Sequence, residues 1–261
     1  MRQEYDRIGI SYNETRKADP YISERLIQLL DPEKDKLYLD IGCGTGNYTC
    51  EFLSRGYNFY GVDPSHKMLD VAKEKFNEPV WFNGSSEKIP FENEQFYGGI
   101  ATLTIHHWKD LKISFKEVNR VLRKNSRLVI FTSLPEQMEG YWLNHYFPEM
   151  MSESTKQMPS FEKVNEVCTN ANFNLISTEK YFVLENLMDN FLYTGKDRPE
   201  IYFDEMIRNG ISSFSSIAKP GEVPEGLKKL RADLDDGNFI QIKKEYVNDL
   251  GDYIFLTYQK N

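Results

Sequence analysis

LYLDIGCGTGNYT, residues 37–49, opens on a short apolar run and breaks into glycines at 42, 44 and 46. An apolar run ending on such a turn reads as a buried strand passing into a loop, and Tyr48 to Gly56 reads as the helix that follows, closed by a C-terminal glycine. Glycines let the backbone turn tightly and approach a ligand, and the first turn of the helix presents its free N–H groups to the same point. Outward from this unit the cycle repeats. NFYGVD (58–63), PVWFNG (79–84), GGIATLTI (98–105) and RLVIFTS (127–133) read as strands, with helical patterns over 65–76 and 111–122 and, upstream, over 21–30, where Asp31-Pro32 ends the pattern. Strands alternating with helices argue for right-handed crossovers and a parallel sheet covered on both faces.

After residue 133 the regularity weakens. Residues 134–160 hold Pro135, Pro148 and Pro159 together with the cluster Tyr141, Trp142, Tyr146 and Phe147. A helix-like stretch (161–173) and a strand (175–184) follow, then a mostly helical and loop region over 185–250, then a last strand over 252–259. The expected organisation is a core with an N-terminal lid over 1–133, a first cap insertion over 134–160, a core helix and strand over 161–184, a second cap insertion over 185–250, and a final core strand over 251–261.

Composition narrows the partners. The 261 residues carry a formal net charge of −8, and residues 140–261 hold 19 of the 40 acidic side chains but only 13 of the 32 basic ones. A phosphate backbone or an anionic membrane calls for clustered Lys and Arg, so a nucleic acid is not the expected partner. No apolar run approaches the roughly 18 residues of a membrane span, and the N-terminus lacks a signal-peptide stretch, so a cytoplasmic location is expected. Cys43, Cys50 and Cys168 have no paired metal-ligand spacing and read as free thiols, and no metal site is expected. The aromatic load of 17 Phe, 16 Tyr and 3 Trp exceeds what a core of this size obviously needs, which leaves some of it to line a cavity.

The glycine spacing separates two ligand classes. A dinucleotide fingerprint requires GxGxxG, whereas here the third glycine follows the second by two residues and Asp40 precedes the loop. This GxGxG pattern resembles the first motif of the class I S-adenosylmethionine-dependent methyltransferases. VDPSHKML (62–69) is similar to the family's second motif, and GSSEKIPFENEQFYGGIATLTIHHW (84–108) to the third and fourth motifs of its type 11 branch, which includes ubiquinone and menaquinone methylases. The resemblance covers about residues 1–135. It implies a doubly wound, mostly parallel, seven-stranded Rossmann-like α/β sheet with an antiparallel last strand, carrying the helical cap insertions, and S-adenosyl-L-methionine as cofactor.

It also implies site residues. Asp40, Gly42, Cys43, Gly44 and Gly46 form the loop. Asp63 accepts the ribose hydroxyls, while Pro64, Ser65 and Met68 border ribose and adenine. Ser85, Ser86 and Glu87 fall where the adenine edge is held, although the family often has Asp at the position of Ser85. Thr102 and Leu103 fall where the methionine end passes the fourth strand. Tyr12 and Arg16, four apart on a lid segment, share a helical face from which Arg16 reaches a methionine carboxylate.

Methyl transfer is an in-line displacement at an activated carbon, so alignment, desolvation and removal of one proton are what a protein adds. Candidate bases are His106 and His107, at the carboxyl edge where open α/β sheets bind ligands. Adjacent side chains point apart, so one of the two faces the cavity. Tyr141, Trp142, His145, Tyr193 and Tyr202 are candidate pocket walls, with Gln137, Glu139, Arg198 and Arg208 nearby, against the alternative of ordinary core packing. The expected activity is transfer of a methyl group to a small organic molecule. Methylation of RNA or protein, a non-catalytic S-adenosylmethionine-binding protein and an NAD-dependent oxidoreductase remain alternatives.

Overall fold

The structure, a computed structural model, describes residues 15–78 and 80–261. Seven strands form one sheet: β1 (Leu37–Ile41), β2 (Asn58–Asp63), β3 (Trp81–Asn83), β4 (Phe96–Thr102), β5 (Leu122–Thr132), β6 (Phe173–Tyr181) and β7 (Tyr253–Lys260). Their order is β3-β2-β1-β4-β5-β7-β6, and only β7 runs antiparallel to its neighbours, as the sequence leads one to expect. The strand order reverses between β1 and β4, which opens a crevice at their carboxyl ends.

Local chemistry sets the helix starts. In α1 (Pro20–Leu30), the side chain of Asp19 accepts from Tyr21 N and Ile22 N, and Pro20 fills the first turn, where a missing N–H costs nothing. The helix α2 (Asn47–Ser54) starts directly on Gly46, and α3 (His66–Lys75) is capped by Ser65. Asp110 caps α4 (Leu111–Val121) through Ile113 N at 2.9 Å.

Along β5 the parity of the side chains divides the core. Val129 and Phe131 join one apolar cluster with Leu26, Phe52 and Phe59, whereas Leu128 and Ile130 join the other with Phe115 and Leu256. Alternation of this kind, with all four residues buried, is what a strand covered on both faces requires. The strand begins at Leu122, five residues before the expected start. Leu122 pairs with Phe96 ahead of a register shift, and the polar run 123–126, with Asn125 left-handed, carries none of the apolar pattern that marks a strand.

Residues 134–160 fold into α5 (Pro135–Glu139), α6 (Leu143–Tyr146) and α7 (Pro148–Lys156), and α8 (Phe161–Asn170) returns to the sheet. Residues 185–250 contain a 3-10 turn (Pro199–Phe203), α9 (Glu205–Asn209), a π turn (Ser213–Ile217), α10 (Glu222–Asp235) and α11 (Phe239–Glu245). Both segments pack into the cluster that covers α1 and α2.

Candidate active site

The loop after β1 is held by features that require glycine. Gly42, Gly44 and Gly46 all have positive φ, at 74°, 55° and 72°. A Cβ on Gly42 would meet Thr104 Oγ1 at 2.1 Å and one on Gly46 would meet Trp81 at 2.4 Å, so these two glycines permit close packing. At Gly44 a Cβ would meet nothing within 4 Å, because this residue faces a cavity. Gly44→Ala is therefore expected to lower stability by only about 1 kcal/mol, the cost of a left-handed alanine, and to weaken a ligand in the cavity disproportionately. Thermal melts beside ligand titrations check this.

Two carboxylates brace the loop. Asp40 is buried, accepts the Thr49 hydroxyl at 2.6 Å, and is pushed up to about 7 by burial. Asp63, at the end of β2, accepts from Gly44 N at 2.9 Å and Ser65 N at 2.8 Å. Burial pushes Asp63 up to about 6 against the pull of those two donors. Lys75 reaches back from α3 to the Thr45 carbonyl at 2.9 Å, and burial lowers it to about 8.

Across the crevice, β4 ends in a strained corner. Leu103 has a φ of 51°, with its N–H donating to Phe131 O at 2.7 Å, and the 3-10 turn Ile105–His107 follows. The rings of His106 and His107 lie 3.9 Å apart. Burial, then His107 and Arg16, push His106 well below its ordinary range, and burial lowers His107 to about 4. Both imidazoles are thus neutral near pH 7. His106 Nδ1 and Thr102 Oγ1 are buried without a hydrogen-bond partner, and both residues line the cavity. An unsatisfied buried polar atom costs about 1–3 kcal/mol, which an arriving ligand group can recover.

Arg16 also lines the cavity, but its guanidinium grips Asp189 through Nε and through NH2 at 3.3 Å. Asp189 accepts in addition from the Tyr48 hydroxyl at 3.1 Å. This ion pair ties the segment before α1 to the region 185–250, and Asn47 Nδ2 donates to the Arg16 carbonyl at 3.0 Å. Tyr12, the partner expected for Arg16 on the lid, lies outside the described residues.

Of the residues expected to hold the cofactor, Arg16, Asp40, Gly42, Cys43, Gly44, Met68, Thr102 and Leu103 come together on this cavity, and so do both histidines where one was expected, because the 3-10 turn does not alternate its side chains as a strand does. Among the described residues the others do not line it: Asp63 stands behind the loop on Gly44 N, and Gly46 packs on Trp81. Pro64 is exposed, Ser65 caps α3, and Ser85 sits in an isolated bridge to Lys88. Ser86 bonds the Ser114 hydroxyl at 3.0 Å, and Glu87 accepts from Lys109 N at 2.8 Å, so both serve the start of α4.

The candidate aromatic pocket walls lie off the cavity, on the core-packing side of the two readings. Tyr141, Trp142, Tyr193 and Tyr202 are core residues, each no more than 3% exposed. Tyr141 stacks on Tyr193 at 3.9 Å and bonds the Asp252 carbonyl, Trp142 Nε1 donates to Lys196 O at 3.1 Å, and the Tyr202 hydroxyl donates to Leu192 O at 2.6 Å. Their polar tips are satisfied internally, which makes large aromatic rings good core. His145 is half-buried against Tyr146, away from the cavity. Nor do the neighbouring polar candidates line it: Gln137 bonds Leu250 and Tyr253 carbonyls, Arg198 bonds Leu187 O, Arg208 bonds Tyr202 O, and Glu139 is outside the cavity wall.

The two inserted segments still reach the cavity, through Met138, Ser154, Phe191, Ile211 and Ser213. Sequence reading missed these, along with Tyr48 and Asp189. Tyr48 stands inside the quoted motif and was open to discovery, whereas nothing local marks Asp189. Among the described residues no group of three or more His, Cys, Asp or Glu is placed to hold a metal ion.

A doubly wound sheet of this order, with a GxGxG loop at its switch point, defines a Rossmann-like fold of the methyltransferase type. A methyltransferase-domain family model matches residues 39–130. A solved structure from Anabaena variabilis, provisionally named a methyltransferase of an antibiotic biosynthesis pathway, is 30% identical, covers 95% of this chain and 99% of its own, and superposes with a TM-score of 0.84. The chain belongs to the class I S-adenosylmethionine-dependent methyltransferases, in their type 11 branch. Similar sequences include an uncharacterized methyltransferase of Mycobacterium tuberculosis, 30% identical over 48% of this chain and 51% of its own length. A demethylmenaquinone methyltransferase of Chlorobaculum tepidum is 25% identical over 55% of this chain and 68% of its own. The chain spans about half the length of the first of these two.

Proposed function

We propose that the chain transfers the methyl group of S-adenosylmethionine to a small organic acceptor. The observation that carries this reading is one cavity lined by Gly44, whose Cβ side is open, together with Thr102, whose buried hydroxyl has no partner. The bound cofactor would supply a methyl carbon already activated for in-line displacement. Asp63 would hold the ribose end: its two oxygens offer about four acceptor sites, of which Gly44 and Ser65 N–H groups use two. Gly44 lets the backbone come close, and Met68 lines the same cavity. Thr102 and the turned-out Leu103 would align the methionine end. Arg16, fixed by Asp189, closes one wall, and residues 134–160 and 185–250 act as a cap that excludes water.

The acid excess of the second half favours a small molecule over a polyanion such as RNA. Among the described residues no helix is long and apolar enough to cross a membrane. Calorimetric titration tests the reading: S-adenosylhomocysteine is expected to bind and NADH is not. Binding of NADH alone would return the chain to the oxidoreductases. Transfer of radiolabel from S-adenosylmethionine to a low-molecular-weight product in a cell extract completes the test, and label found only in RNA or protein would refute the small-molecule part.

A further inference from the structure

We propose that the acceptor is an uncharged, largely apolar molecule methylated on a phenolic or enolic hydroxyl, with His106 taking its proton. This deepens the methyl-transfer reading above and rests on it.

The charges around the cavity weigh against a charged acceptor. Among the described residues that line it, the only Asp, Glu, Lys or Arg side chains are Arg16, Asp40 and Asp189. Arg16 and Asp189 neutralise each other, with Tyr48 on the same carboxylate. Asp40 lies under the glycine loop on Thr49. Neither imidazole is charged. The protein's side chains therefore offer a charged acceptor no unpaired counter-charge; a carboxylate or phosphate would meet only the sulfonium of the bound cofactor and would bring no proton to the partnerless His106 Nδ1, and an ammonium has no lone pair with which to attack the methyl carbon. The wall offered by Met138, Phe191, Leu192, Ile211 and Ile217 suits an apolar body, and the Ser154 and Ser213 hydroxyls beside it bond each other at 2.9 Å.

One polar group of the acceptor is called for. His106 Nδ1 is buried, without a partner, and lines the same space. A hydroxyl answers this demand with one atom: its O–H donates to the imidazole while an oxygen lone pair faces the methyl carbon. A carbon nucleophile would leave the nitrogen unsatisfied.

The step balances. The oxygen forms a bond to the methyl carbon as the sulfur–carbon bond breaks, the electron pair of that bond goes to sulfur, and the hydroxyl proton goes to His106. One positive charge leaves the sulfonium and one appears on the imidazolium, so the net charge of the enclosed site is unchanged. The base starts neutral, as this requires, because burial, His107 and Arg16 hold the proton off. The same burial makes it a weak base, which is why an acidic hydroxyl of phenol or enol type is matched to it rather than a simple alcohol.

The test uses the full chain, methyl-tritiated S-adenosylmethionine and five probes of one skeleton: para-propylphenol, para-hydroxyphenylpropionate, tyramine, para-propylaniline and para-propylbenzoate. Labelling of para-propylphenol is expected to be at least about tenfold faster than of the other four. His106→Gln keeps a hydrogen-bonding side chain but cannot take the proton at neutral pH, and is expected to lower kcat on para-propylphenol about a hundredfold while S-adenosylhomocysteine affinity, measured by calorimetry, stays within about twofold. Faster labelling of any charged probe or of the aniline, no labelling of any probe, or unchanged kcat in His106→Gln would overturn the proposal. The probe comparison is made on the parent chain, so it decides the matter even if the variant does not fold. Failure of the parent to bind S-adenosylhomocysteine would instead overturn the methyl-transfer reading itself, which distinguishes the two.

Discussion

Asp63→Ala is expected to lower the affinity for S-adenosylhomocysteine at least about a hundredfold. The carboxylate accepts two backbone N–H groups, one of them from Gly44 on the loop that faces the cavity. On the proposed reading it also accepts the ribose hydroxyls. Hydrogen bonds to a charged acceptor contribute about 1.5–3 kcal/mol each, so the loss of two to the ligand already gives the stated factor. Release of Gly44 adds to it by letting the loop relax from three alternate left-handed glycines.

The same group sets a pH dependence. Burial raises Asp63 from its ordinary 3.8 to about 6. A ligand that needs the ionised form therefore binds more tightly as pH rises through about 6, and about tenfold more weakly one pH unit below that value. For folding the sign is opposite. A carboxyl raised in the folded state favours folding at low pH, and that contribution is lost as pH rises from about 4 through about 6. Asp40 titrates nearby, at about 7, so the assignment rests on a control. In Asp63→Asn the rise centred near 6 is expected to vanish. Calorimetry across this range checks both points, and an Asp63→Ala chain that binds as the parent does would remove Asp63 from the site.

Trp142→Ala is expected to cost about 3–5 kcal/mol of folding stability, or roughly 10 °C in melting temperature, and to leave S-adenosylhomocysteine affinity of the folded protein unchanged. The indole is fully buried, meets Phe239 edge-on at 5.0 Å and Tyr202 at 5.7 Å, and donates to Lys196 O. Truncation opens a large cavity and leaves that carbonyl without its donor. Because Trp142 does not line the ligand cavity, stability and affinity should separate. Denaturant melts and calorimetry on one preparation measure both. A loss of affinity at constant stability would restore the pocket role that its sequence context suggests.

The contrast between these two residues marks how far the sequence could be read. The place of Asp63 was legible because it follows from position: it ends a strand whose partner strand ends in the glycine loop, and register alone brings the two together. His106 and Thr102 were legible for the same reason, at the end of β4. For Trp142 and Tyr202 sequence left pocket wall and core packing both open, because an aromatic cluster beside prolines has the same composition whether it lines a pocket or fills a core. Ser86 and Glu87 carry the pattern of an adenine-binding turn, yet their hydrogen bonds run to α4.

What the sequence determined by itself was the sheet and its crevice: apolar runs of strand length, helical spacing between them and three glycines at one turn admit few other topologies, since backbone hydrogen bonding and right-handed crossovers leave little choice. What only the tertiary structure decided was the wall opposite that crevice. Arg16 meets Asp189 across 173 positions of sequence, and the cavity takes Met138, Phe191 and Ile211 from segments with no regular pattern. Such contacts depend on how irregular chain packs against an already formed sheet, where burial of one face, rather than any local periodicity, selects which side chains point inward.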